Sequence, residues 1–191
     1  MIYHKHKFIF IHTEKTGGTS IEKCFVDNAD EVDVEYKHHD VWFYFKNFLY
    51  FDDYFKFTFV RNPWDRLVSA YHFYKNDMKL IDFTFEEFIE KIGNKEPMLD
   101  SISFIDYAVK PCFHKIQIEG NIVVDFVGKF EKLQEDFDFV CERVGMESVK
   151  LPHVKKTKHN YYSEYYTEKL IDIVEEVYVS DITRFDYKFG E

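Results

Sequence analysis

FIFIHTEKTGGTSIEK, residues Phe8 to Lys23, sets the fold class before any other part of the chain is read. Phe8 to Ile11 is a short run with no polar residue, the pattern of a strand buried on both faces and hence of a parallel sheet. The next residues carry a lysine, adjacent glycines and four hydroxyl side chains, and the segment from about Thr19 to Asp27 then reads as a helix. A strand, a glycine-containing loop and a helix N-terminus together form an anion site, because the first N–H groups of a helix lack intrahelical acceptors and the helix end carries partial positive charge. Gly17 and Gly18 let the backbone approach an anion closely. Lys15 adds a full charge, and Thr16, Thr19 and Ser20 add donors. The lysine precedes the glycines, the reverse of a Walker A loop, which disfavours an ordinary NTPase. A tight strand-to-helix turn with a solvated lysine is the plainer alternative.

Working outward, Tyr54 to Val60 reads as a second strand, and Asn62-Pro63 caps and opens a helix. Thr84 and Glu87 form a capping-box signature for a helix ending near Gly93. Asn121 to Val127 reads as a third strand, and Phe130 to Val144 as a helix closed by Gly145. Tyr166, Leu170, Ile173, Val174 and Val177 recur at helical spacing, predicting a helix with one face on the sheet. Strands alternating with helices predict an α/β fold with a mostly parallel sheet and right-handed crossovers. Ligands in such sheets sit at the carboxyl ends of the strands.

The chain's 191 residues fit one domain, 1–191, with no repeat or linker. Its 25 Lys+Arg against 35 Asp+Glu give a net charge of -10, which argues against loose binding to nucleic acid or anionic membranes, so any phosphate site is local. The 22 Phe and 14 Tyr predict a core built largely from rings. Three dispersed cysteines, Cys24, Cys112 and Cys141, form no C-x-x-C pair and suit a reducing compartment better than a disulfide framework. No segment approaches the ~18 apolar residues of a membrane helix, and the start of the chain does not read as a secretory leader. The expectation is a cytoplasmic protein with no integral membrane segment.

The second informative loop is FVRNPWDRLVSAYHFY, Phe59 to Tyr74. Arg61 ends a strand and can fork onto a phosphate, and Ser69 lies two helical turns beyond the Asn62 cap, on the loop-facing side. By itself this stretch reads equally well as an ion-pair cluster of Arg61, Asp65 and Arg66. With K-T-G-G-T-S after the first strand and R-N-P-W-D-R-L-V-S-A-Y after a later one, the chain resembles sulfotransferases that use 3′-phosphoadenosine 5′-phosphosulfate (PAPS), and more closely their carbohydrate sulfotransferase branch in a soluble, bacterial-type form. The resemblance extends into DFVGKFEKLQEDF (Asp125 to Phe137) and the C-terminal forty residues.

That resemblance implies a three-layer fold of the P-loop-NTPase-like sulfotransferase architecture. It implies that Lys15, Thr16, Gly17, Gly18, Thr19 and Ser20 bind the 5′-phosphosulfate and that Arg61 and Ser69 hold the 3′-phosphate. The family usually has proline before the lysine, where this chain has Glu14; a carboxylate there is expected to point away from the anion or to pair with a basic neighbour. Sulfuryl transfer needs charge stabilisation on the leaving oxygen, the natural task of Lys15, and a base near the acceptor. YKHHD (Tyr36 to Asp40) offers His38, which the family's K-H pattern favours, and His39. Adjacent residues on an extended segment face opposite ways, so one of them points into a cleft; surface histidines are the plainer reading, and no third ligand suggests zinc. Lys150 to Ser163 is basic and free of acids, and Lys156 and Lys158 are candidates for closing over the nucleotide, against a solvated loop. Trp42, Phe43, Tyr44 and Phe45 read as core residues or as a stacking surface for sugars. The reading is thus a metal-free transfer from PAPS to a saccharide or glycoconjugate hydroxyl. Its rivals are a non-catalytic nucleotide-binding module and a kinase-like phosphoryl transferase, the latter disfavoured by the lysine order and by the lack of a Mg²⁺ motif.

Overall fold

The structure, a computed structural model, describes residues 1–27, 32, 33, 36, 38–101, 103–152 and 160–191. In chain order the elements are β1 (Ile2–Tyr3), β2 (Phe8–Ile11), α1 (Gly18–Asp27), β3 (Val32–Asp33), α2 (Val41–Asn47), β4 (Phe55–Val60), α3 (Pro63–His72), α4 (Phe85–Asn94), α5 (Phe104–Ala108), α6 (Phe113–Ile116), β5 (Gln117–Ile118), β6 (Asn121–Ile122), β7 (Phe126–Lys129), α7 (Leu133–Arg143), α8 (Glu168–Val177) and α9 (Val179–Phe185). A π-helical turn, Phe73–Asp77, continues α3, and a 3₁₀ turn, Phe130–Lys132, leads into α7. Two compact units emerge. The first joins Met1–Arg61 to Cys112–Lys155, and the second joins Asn62–Pro111 to Lys156–Glu191.

The first unit holds a five-stranded sheet in the order β3-β1-β2-β4-β7. Strands β2, β4 and β7 run parallel, with Phe10 opposite Phe57 and Phe57 opposite Phe126. Strand β1 is antiparallel to both of its neighbours. The apolar run at Phe8 is therefore buried on both faces, as its lack of polar residues predicts. Phe8, Phe10, Phe57 and Phe59 share one face through the alternation of the pleat. The rings of Phe10 and Phe57 stack at 5.0 Å. Phe25 of α1 and Phe137 of α7 close over them, with centroids 5.5 Å apart. Helix α1 reaches this layer because Ile21, Cys24 and Phe25 recur at i, i+3 and i+4, and all three are buried. Aromatic rings do carry this core.

One expected element divides. The run Asn121 to Val127 is not a single strand: Asn121–Ile122 pairs with Gln117–Ile118 in a separate hairpin, and only Phe126–Lys129 joins the sheet. Asp125 makes the break. Its N–H donates to the Lys56 carbonyl at 2.7 Å, and its carboxylate accepts the Lys56 N–H at 2.7 Å, so the chain turns onto the sheet there.

The second unit is helical. Asn62 caps α3, its Oδ1 accepting the N–H groups of Trp64 and Asp65 at 3.1 and 3.4 Å. Thr84 and Glu87 form the expected reciprocal capping box on α4. Arg66 is buried and donates to the carbonyls of Ala108, Val109 and Lys110, which closes the C-terminal end of α5. Helix α8 was expected to cover the sheet; within this unit it packs along α4, and Gly93 lets Ile173 approach so closely that a Cβ there would sit 2.8 Å from its Cγ2.

Candidate active site

The first loop hangs from the carboxyl ends of β2 and β4, and hydroxyl groups tie it there. Thr58 Oγ1 donates to the Ile11 carbonyl at 2.7 Å, and Thr13 Oγ1 donates to the Phe59 carbonyl just past the point where the ladder ends. Thr16 Oγ1 donates back to the Thr13 carbonyl at 2.9 Å, so this buried hydroxyl braces the loop. Lys15 sits at φ 63°, in the left-handed region. For a residue with a Cβ that conformation costs roughly 1–2 kcal/mol, a strain that recurs where loops clamp ligands. Gly17 follows at φ 82°, and α1 begins at Gly18.

The adjacent glycines serve different neighbours. A Cβ on Gly17 would lie 2.7 Å from Leu133 Cδ2 and 3.3 Å from Phe130 Cδ2, so this glycine seats the loop on the turn leading into α7. A Cβ on Gly18 would run into the imidazole of His12. Arg61, at the end of β4, reaches the same place: its Nη1 donates to the Lys15 carbonyl at 3.1 Å, and its guanidinium lies 4.0 Å from the Phe130 ring centre. Lys15 and Arg61, far apart in sequence, are thus bonded neighbours.

His12 was not singled out in the sequence. Its Nδ1 is 2.8 Å from Glu22 Oε1, with both side chains buried, and its ring stacks on Phe10. The missed signal is Glu22 itself, a carboxylate beside the apolar stripe of α1. His38 lies next to this pair, its ring centre 4.6 Å from that of His12. Glu14 Oε1 is 3.7 Å from His38 Nδ1, and the Glu14 carboxylate is bound by Lys115 of α6, with one contact at 2.6 Å. Glu14 therefore pairs with a basic neighbour, one of the two arrangements expected for a carboxylate at this position. Partial burial pushes the His38 imidazole below its ordinary proton affinity; His12 and Lys115 act in the same direction, while Glu14 and Glu22 oppose it.

His39 faces elsewhere, stacked on Phe43 at 3.8 Å. The adjacent histidines thus diverge, though not through the extended backbone the sequence suggests: His38 sits in a turn at φ 66°, in the left-handed region. On α2, Tyr44 is buried, whereas Trp42 and Phe45 are exposed and stacked on each other at 5.6 Å, with Lys46 over the Trp42 ring. Ser69 is buried on α3 in the second unit. Lys156 and Lys158 lie outside the described residues, as does Lys37.

The Sulfotransferase family profile matches residues 1–188. The chain belongs to the sulfotransferase family. It is a transferase by that membership, and sulfotransferases named for carbohydrates are among its relatives. Carbohydrate sulfotransferase 14 of Danio rerio is 29% identical over 170 residues, covering 70% of this chain and 44% of that protein. Carbohydrate sulfotransferase 11 of Mus musculus is 28% identical over 178 residues, covering 70% and 47%. The chain thus spans less than half the length of these two proteins. A crystal structure of a sulfotransferase from Alicyclobacillus acidocaldarius shares the fold, with a TM-score of 0.58 over 94% of both chains at 14% identity. The central, mostly parallel sheet with surrounding helices is therefore that of a sulfotransferase. Among the described residues no helix is long and apolar enough to cross a membrane.

Proposed function

We propose that this sulfotransferase moves a sulfuryl group from PAPS to a hydroxyl of a saccharide or glycoconjugate, within a single domain spanning residues 1–191. The observation that carries the reading is the Arg61 to Lys15 bond: it joins the strand-end arginine to the glycine loop, which supports one shared anion site for the two motifs. In this reading the backbone from Lys15 to Ser20, with the Thr19 and Ser20 hydroxyls, holds the 5′-phosphosulfate, and Thr16 contributes through its N–H because its hydroxyl braces the loop. Arg61 and Ser69 hold the 3′-phosphate. Lys156 and Lys158 are kept as further nucleotide contacts on the strength of their local charge.

The acceptor oxygen attacks sulfur and the bond from sulfur to the bridging oxygen breaks, leaving adenosine 3′,5′-bisphosphate. Lys15 stabilises the charge growing on that bridging oxygen. His38 takes the acceptor's proton, a role for which a neutral imidazole beside the same loop is suited. His39 is the less favoured base because its ring is laid on Phe43. The exposed Trp42 and Phe45 rings supply an apolar face on which a sugar can stack. No step in this scheme calls on a metal, since a sulfuryl group carries less charge than a phosphoryl group.

Thermal-shift titration with adenosine 3′,5′-bisphosphate, ATP and GTP tests the nucleotide class; a larger response to ATP refutes the donor assignment. Transfer from radiolabelled PAPS to a panel of glycans tests the acceptor class. Nucleotide binding with no transfer to any glycan or simple alcohol favours the non-catalytic alternative.

A further inference from the structure

Ionisable side chains from four parts of the first unit surround the His38 imidazole. His12 approaches from the end of β2 and is held by Glu22 from α1. Glu14 approaches from the loop, 3.7 Å from Nδ1, and Lys115 from α6 binds Glu14 from behind. The His38 side chain is 52% exposed, whereas those of Glu14 and Lys115 are only 17% and 11% exposed. The carboxylate–ammonium pair is therefore shielded while the imidazole stays open to solvent and to an acceptor. A lone carboxylate beside an imidazole favours the imidazolium, and a bound proton disables a base. With Lys115 in contact, Glu14 presents His38 with a nearly neutral dipole in place of a full negative charge. Glu14 occupies the position where the family pattern implies proline, so this chain carries a charge the loop must neutralise, and Lys115 does so.

We propose that Lys115 is a positioning residue of the transfer site: by holding Glu14 in an ion pair, it keeps His38 uncharged and able to accept the acceptor's proton near neutral pH. The proposal rests on the reading of His38 as the base. Burial of the ring and the nearby His12 work in the same direction, and Glu22 is already engaged by His12.

The test is an NMR titration of the histidine ring signals in the full chain, with His38 identified among the nine histidines by the resonance missing from His38→Ala. Lys115→Met is expected to raise the His38 midpoint and Glu14→Gln to lower it, the two separating by about one pH unit. Lys115→Arg keeps the charge and should return the midpoint to that of the unaltered protein. The acid limb of turnover should follow the same order. Coincident midpoints, or shifts of the same sign in Lys115→Met and Glu14→Gln, overturn the proposal; if Lys115→Met fails to fold, Lys115→Gln takes its place and must likewise raise the midpoint. Unmoved midpoints with an inactive His38→Ala refute Lys115 and leave the base assignment intact, whereas full turnover in His38→Ala removes the base and this proposal with it.

Discussion

Replacing Gly18 by alanine sets local preference against packing. Gly18 opens α1 without positive φ, so alanine is free to adopt its backbone and by helix propensity should stabilise the chain by about 0.5–1 kcal/mol. The surroundings oppose this. The new methyl group meets the His12 ring, which cannot slide away because Phe10 stacks on it at 5.6 Å and Glu22 holds its Nδ1 at 2.8 Å. Forcing a methyl group into such a contact costs roughly 1–3 kcal/mol. Turning the ring aside instead breaks a buried hydrogen bond to a carboxylate, at a cost of about 1.5–3 kcal/mol. The chain takes the cheaper route, so Gly18→Ala should destabilise by roughly 0.5–2 kcal/mol after the propensity gain is subtracted. Urea denaturation followed by circular dichroism measures this directly. The double variant His12→Ala/Gly18→Ala separates cause from coincidence: with the ring gone, the added methyl should no longer destabilise. A Gly18→Ala protein as stable as the original, or a penalty that persists without the His12 ring, refutes the packing argument.

Other perturbations address chemistry more directly. Lys15→Ala should lower turnover on a working acceptor about 10²–10³-fold, read in steady-state assays, with nucleotide affinity falling far less. Arg61→Lys keeps the charge but loses the planar fork, and affinity for adenosine 3′,5′-bisphosphate, measured by calorimetry, should fall at least about tenfold. The His38 imidazole is held below its ordinary value mainly by burial. Because the base must be neutral, the midpoint of the acid limb of turnover should fall below that of an unperturbed histidine; a midpoint above it contradicts the assignment. Cys141 is pushed up to about 11, mainly by burial with the Asp138 carboxylate adding to it. Its thiol stays protonated at pH 8, so a thiol reagent should label it far more slowly in the folded chain than in urea.

What the sequence showed and what it hid divide by range. The glycine loop, the Asn62 cap and the Thr84 capping box are written in a few consecutive residues, because a helix end or a turn is decided by chemistry within one turn of chain. The misread strand at Asn121 fails for the complementary reason: its run of β-branched residues reads as one strand, but Asp125 answers to Lys56, sixty-nine residues away, and the pleat ends where that pairing begins. The site divides in the same way. Lys15, Gly17, Gly18 and Arg61 could be named from motifs, whereas the partners that give them geometry, Phe130, His12 with Glu22, and Lys115, arrive through tertiary contacts that leave no spacing rule in the chain. Glu14 shows how far such a reading extends. A carboxylate beside an anion loop must be neutralised, so a basic partner could be anticipated from electrostatics alone, yet only the fold shows that the partner is Lys115 and that the pair stands against His38. The position where this chain departs from its family's pattern thus carries one of the charges that bear on its candidate base, beside the larger effects of burial and His12.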